Sequence, residues 1–144
     1  MTAELVFVKK FVAFGTGIGL PRSVAKVLGW LIICKPQEQS SDQVQQQVSL
    51  SAGSVSTALA MLVDMQLVER IKLPGQRKPY YRLVPNGFIK SVERRFETFK
   101  MAEQIADAGL EIAPGDDRLI AMKQLYSFLD REMQEVAKRL DKLT

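Results

Sequence analysis

Hydrophobic positions recur at three- and four-residue steps along most of the chain and alternate in one short stretch, so the pattern predicts helices around a single hairpin. Residues 4–14 place Leu5, Val8 and Val12 on one stripe, with Phe7, Phe11 and Phe14 beside it. A stripe that wide predicts a helix buried over much of its girth, against a partner helix rather than only its own domain. The glycines of Gly15–Gly19 (GTGIG) predict a break, read as a helix–helix hinge. They make a poor phosphate loop, since no strand precedes them and no Lys-Ser/Thr pair follows. Pro21 suits the first turn of the next helix, where Val24, Val27, Leu28, Leu31 and Ile32 keep amphipathic spacing. Trp30 falls off that stripe and is either packing mass or part of a pocket wall.

Lys35-Pro36 stops that helix, and Ser40 or Ser41 can cap the next, DQVQQQV, in which only Val44 and Val48 are apolar. Ser49-Leu50-Ser51 makes a turn, and Ser51 can cap a helix over 52–66. At 100° per residue its buried side is Val55, Ala58, Leu59 and Leu62. The opposite side shows Gly53, Thr57 and Ala60, flanked by Ser54 and Ser56, with no charge between Ser49 and Val63. Small residues and hydroxyls on such a face suit a nucleic-acid groove; they equally suit close packing against another helix. The stretch Leu67–Leu73 then alternates, Pro74-Gly75 signals a turn, and Pro79–Val84 returns. Arg70, Lys72, Arg77, Lys78 and Arg82 gather on this hairpin, with Glu69 as the only acid nearby in sequence. Helix, turn, uncharged helix and basic hairpin form, in that order, a winged helix-turn-helix that can set one helix in a DNA major groove. A solvated hairpin with incidental charge is the plainer alternative.

Beyond Asn86, a possible cap, Ile89, Val92, Phe96, Phe99, Ala102 and Ala106 predict a long helix ended by Gly109 and then Pro114-Gly115. From about Asp116, Leu119, Met122, Tyr126, Leu129, Met133, Val136 and Leu140 step by three and four without a miss, a heptad seam widened by Leu125 and Phe128. Such a seam leaves an apolar face bare in a monomer, and dimerisation is the natural remedy.

Composition narrows the chemistry. The 144 residues are 47% hydrophobic and 25% charged with a net charge of +4, ordinary globular values that permit a polyanionic partner. With no His and one Cys, zinc sites of the Cys/His type, Ser-His-Asp triads and Cys-His pairs are excluded within one chain. No catalytic residue, metal ligand or cofactor is expected, and Asp116-Asp117 are helix N-terminal acids. Cys34 ends an apolar run and reads as a buried small hydrophobe rather than a redox sensor. No apolar run reaches the ~20 residues of a membrane span, and there is no signal peptide, so a cytoplasmic protein is expected.

The phrase GLPRSVAKVLGWLIIC, followed by VSLSAGSVSTALAMLVDMQLVERIKLPGQRKPYYRL, resembles the GbsR-type branch of the MarR-like winged-helix transcriptional regulators. GLPRS, S-x-G-S-V-S-T-A-L and PGxRKxYY lie in that family's order and spacing, and the resemblance covers roughly residues 15–100. It implies a homodimeric DNA-binding regulator, usually a repressor, that in some members responds to a small molecule such as choline. Carried over by residue, it implies DNA contacts by Gly53, Ser54, Ser56 and Thr57, and backbone or minor-groove contacts by Arg77 and Lys78. The family pattern often has a basic residue after S-T-A-L, where this chain has Ala60, which shifts the electrostatic grip toward the wing.

The expected architecture is mainly α with a small β-hairpin wing: an N-terminal helix and hinge (1–20), a winged helix-turn-helix (21–85) and C-terminal dimerisation helices (86–144). The expected partners are a double-stranded DNA operator and a second copy of the chain, joined through the N- and C-terminal helices. The candidate DNA-binding set is Ser51, Gly53, Ser54, Ser56, Thr57, Lys72, Gln76, Arg77 and Lys78. A choline-like effector would need an aromatic cage, for which Phe11, Phe14, Trp30, Phe88 and Phe96 are candidates, though they read equally as core. The competing function is a winged-helix adaptor that docks on another protein without reading DNA.

Overall fold

A computed structural model describes residues 1–143 and divides into two compact units, Met1–Gly87 and Phe88 onward. The first unit is built around α2 (Arg22–Ile33). Seven of its residues are buried, Val24, Ala25, Val27, Leu28, Gly29, Trp30 and Leu31, so burial extends well beyond the predicted stripe. The reason is that α2 is covered from several sides: α1 (Ala3–Gly17), α3 (Ser41–Val48) and α4 (Ala52–Asp64) all pack on it. Its Leu28 joins Leu59 and Leu62 of α4 among the largest fully buried side chains, each stabilising the unit by about 2 kcal/mol through area removed from water.

The expected break at Gly15–Gly19 is displaced. Helix α1 continues through Gly17, and the chain turns at Ile18 and Gly19, whose φ of +98° is a conformation glycine adopts without strain. Gly15 is inside the helix because α1 and α2 cross there: a Cβ on Gly15 would lie 2.9 Å from the Ala25 Cβ. Glycine is thus a contact residue at this position, and only Gly19 acts as a hinge. On α1, Val8 and Val12 are buried and Phe11 packs on the core, whereas Phe14 is 59% exposed.

The helix-turn-helix is locally specified. Ser40 caps α3 through a reciprocal box: its Oγ accepts the Gln43 N–H at 3.2 Å while the Gln43 side chain accepts the Ser40 N–H at 2.8 Å. Helix α3 ends at Ser49 in the left-handed region (φ 53°), which turns the chain toward Ser51, the N-cap of α4. Helix α4 buries Val55, Ala58, Leu59 and Leu62, as its periodicity predicts. The antiparallel strands β1 (Val68–Ile71) and β2 (Tyr80–Leu83) follow, shorter than the alternating stretches suggest, in the register Val68↔Leu83 and Ile71↔Tyr80. The segment between α2 and α3 also joins this sheet. Gln39 exchanges two backbone hydrogen bonds with Tyr81, at 2.9 and 2.7 Å, and so pins β2 beside the start of α3.

The second unit contains α5 (Gly87–Ile112) and α6 (Asp117–Leu140). Helix α5 runs through Gly109 to Ile112, so the expected end at Gly109 is also displaced. A glycine inside a helix costs only about 1 kcal/mol, so the helix continues, and the missing methyl leaves room for the tip of the Leu119 side chain, which a Cβ would meet at 2.7 Å. Phe99 and Tyr126 pack with ring centroids 6.1 Å apart, and Lys123 pairs with Asp107. Asp116 caps α6 by accepting the Arg118 N–H at 2.9 Å, and the Arg118 guanidinium lowers the Asp116 pKa. No residue of α6 is buried; every seam position from Leu119 to Leu140 is half-covered, and Leu125 and Phe128 are exposed.

Candidate nucleic-acid interface

The face of α4 opposite its core is open. Gly53, Ser56, Thr57 and Ala60 are exposed, and a Cβ on Gly53 would meet nothing within 4 Å. Close packing against another helix of the same unit, the plainer explanation for small residues here, is therefore absent among the described residues. Not all the hydroxyls are equally available. Ser51 Oγ accepts the Ser54 N–H at 3.1 Å and donates to Ser54 Oγ at 2.9 Å, so this pair holds the helix start. The Ser56 and Thr57 side chains have no hydrogen-bond partner among the described residues and carry the uncommitted hydroxyls of the face.

The hairpin tip turns at Pro74-Gly75, where φ at Gly75 is +75°. Lys72 Nζ donates to the Arg77 carbonyl at 3.5 Å, which steadies the tip, and Gln76, Arg77 and Lys78 are all exposed. The charge inventory read from sequence needs correction. Glu69 is not the only acid at this hairpin: Arg82 meets Glu69 at 2.6 Å and Glu38 at 3.9 Å, and Lys78 meets Asp42 of α3 at 2.5 Å. Arg70, Lys72 and Arg77 have no acidic partner among the described residues. These three are the uncompensated cations of the wing.

Glu38, Gln39 and Asp42 were missed as contributors because each lies some forty residues from the hairpin it serves. Gln39 is buried; its side chain accepts the Trp30 indole N–H at 3.1 Å and donates to the Pro36 carbonyl at 2.9 Å. No local sequence signal marks it. The bond also places Trp30, one of the candidate cage aromatics, in the core. Phe11 and Phe14 neighbour each other at 5.7 Å, and Phe11 packs over Gly29. Phe88 and Phe96 belong to the second unit, where Phe96 stacks near Phe99. Cys34 is buried at the end of α2, and burial pushes its thiol pKa up to about 11. Among the described residues no group of His, Cys, Asp or Glu could hold a metal ion, and no helix is long and apolar enough to cross a membrane.

A capped helix pair, an open uncharged second helix and a basic hairpin beside it define a winged helix-turn-helix transcription regulator that binds DNA. The chain is 30% identical to the HTH-type transcriptional regulator MmpR5 of Mycobacterium tuberculosis, over 96% of this chain and 87% of that protein. A solved transcriptional regulator superposes with a TM-score of 0.82 at 28% identity, covering 98% of this chain and 99% of that one. No family model matches the chain. The chain belongs to the MarR family of winged-helix transcriptional regulators, which are not enzymes.

Proposed function

We propose that this protein is a homodimeric repressor whose two α4 helices enter successive major grooves of a pseudo-palindromic operator, about one helical turn (~34 Å) apart. The observation that carries the reading is the pairing of an open, uncharged α4 face with a wing holding three uncompensated cations. In this reading Gly53 and the Ser56 and Thr57 hydroxyls supply close-range fit to base edges. Ser51 and Ser54 hold the helix start at the backbone, and Lys72, Gln76, Arg77 and Lys78 reach phosphates or the minor groove. Ala60 contributes no charge, so phosphate attraction rests on the wing.

Dimerisation through the N- and C-terminal helices is supported by exposed apolar side chains on α1, α5 and α6, among them Phe14, Ile105 and Phe128. The GLPRS and PGxRKxYY phrases support assignment to the GbsR-type branch, and with it repression as the sign of regulation. They do not extend the reading to a choline-like effector. Trp30 spends its N–H on Gln39 inside the core, which supports its reading as packing mass rather than as a cage wall.

Fluorescence anisotropy against the gene's own upstream DNA, at several salt concentrations, tests the proposal. The expected result is saturable binding whose log–log salt slope is about −0.9 per phosphate neutralised. Salt-independent binding, or none to any duplex, refutes it. Light scattering is expected to give twice the chain mass.

A further inference from the structure

The wing's cations are not equivalent, and the difference lies outside the hairpin. Arg77 and Lys78 are neighbours at the tip, yet only Lys78 is held by an acid, donating from its ammonium to Asp42 Oδ2 at 2.5 Å. Asp42 stands in the first turn of α3, where the unpaired backbone N–H groups favour a carboxylate whether or not a lysine is present. The two side chains are 68% and 60% exposed, so the pair is water-screened and exchanges readily. A phosphate oxygen offers the ammonium the same charge-assisted bond. The neighbouring carboxylate raises the Lys78 pKa, which keeps the ammonium charged throughout the neutral range.

We propose that Asp42 sets the strength of the wing's grip on DNA by competing with a backbone phosphate for the Lys78 ammonium. The inference rests on the wing reading given above. On binding, Lys78 exchanges one carboxylate oxygen for one phosphate oxygen, and the freed Asp42 takes up a solution cation. That uptake offsets part of the counterion release at the phosphate, so the wild-type salt slope is shallower than the number of wing contacts alone would give. The brake is blind to base sequence, because both the contact it limits and its own charge act on the backbone. It therefore weakens non-specific as well as operator binding and shortens residence on random DNA.

The test is a double-mutant cycle in the full chain: wild type, Asp42→Asn, Lys78→Gln and the double variant, titrated by anisotropy against a random-sequence duplex across a salt series. Asp42→Asn is expected to tighten binding about two- to fivefold and steepen the slope, the range typical of an exposed ion pair. Lys78→Gln is expected to cost about two- to fivefold more affinity in the Asp42→Asn background than in wild type. An equal cost in both backgrounds means that Asp42 only repels DNA at a distance, and overturns the competition. No cost in either background overturns the wing contact itself, and the proposal with it. Thermal melting checks that all four proteins fold. Asp42→Ser, also suited to a first helical turn, repeats the cycle if Asn perturbs the fold.

Discussion

Two glycines inside helices give a prediction in which one substitution has opposite signs at two sites. Replacing an in-helix glycine by alanine stabilises the helix by about 0.5–1 kcal/mol in the absence of other contacts. At Gly15 the added Cβ would sit 2.9 Å from the Ala25 Cβ, whereas carbon atoms pack at about 3.5–4.0 Å. Ala25 is fully buried and has no rotamer through which to retreat, so α1 and α2 must separate by about 0.6–1.1 Å. Overpacking of that kind costs about 1–3 kcal/mol. Gly15→Ala is therefore expected to lose about 1–2 kcal/mol net, lowering the urea midpoint by roughly 0.5–1 M at unchanged slope. At Gly109 the nearest atoms are the terminal Cδ2 and Cδ1 of Leu119, at 2.7 and 3.0 Å, the far end of a side chain that can change rotamer. Gly109→Ala is expected to be neutral or up to about 1 kcal/mol stabilising. Urea titrations of both variants at one fixed protein concentration compare them, since subunit association shifts apparent stability. A Gly15→Ala protein as stable as Gly109→Ala would refute the close crossing of α1 and α2.

Further outcomes follow from the proposed interface and the core. Arg77→Ala should weaken operator and random DNA alike and flatten the salt slope by about 0.9 per wing; loss confined to the operator would make Arg77 a base reader. Gly53→Glu should fold normally, since its side chain enters open space, yet lose the operator complex through repulsion from phosphate, as anisotropy and a thermal melt on the same sample will show. Phe128→Glu, on the bare face of α6, should shift light scattering toward the monomer; an unchanged dimer would place the interface elsewhere. The Cys34 thiol, with its pKa raised from 9.0 to about 11, should react slowly with iodoacetamide at pH 8 until denaturant exposes it. The folded state keeps that proton where the unfolded chain loses it. Its contribution is thus fully present below about pH 9 and is lost as pH rises toward 11, a decline that Cys34→Ala should remove.

Periodicity and capping chemistry were sufficient for the helices, the helix-turn-helix and the open face of α4. Those features depend on residues within a few positions of one another: Ser40 on Gln43, Ser51 on Ser54, and Val55 to Leu62 on one helical face. The resemblance carried the family, because its phrases are themselves contiguous. Three things were decided only by the tertiary structure. Gly15 and Gly109 read as breakers because local propensity is blind to a helix crossing overhead, and a missing methyl is valuable only where another backbone or side chain arrives within 3 Å. Gln39 became the hinge-pin between Trp30 and the wing because its buried side-chain amide must find partners and takes the Trp30 indole N–H, nine residues away, while its backbone pairs with Tyr81, about forty residues away. The wing's basic residues divided into held and uncompensated ones because Glu38 and Asp42 reach them through space. Local order follows from near neighbours in the chain; charge pairing and close approach are settled by distance, which the chain alone does not specify.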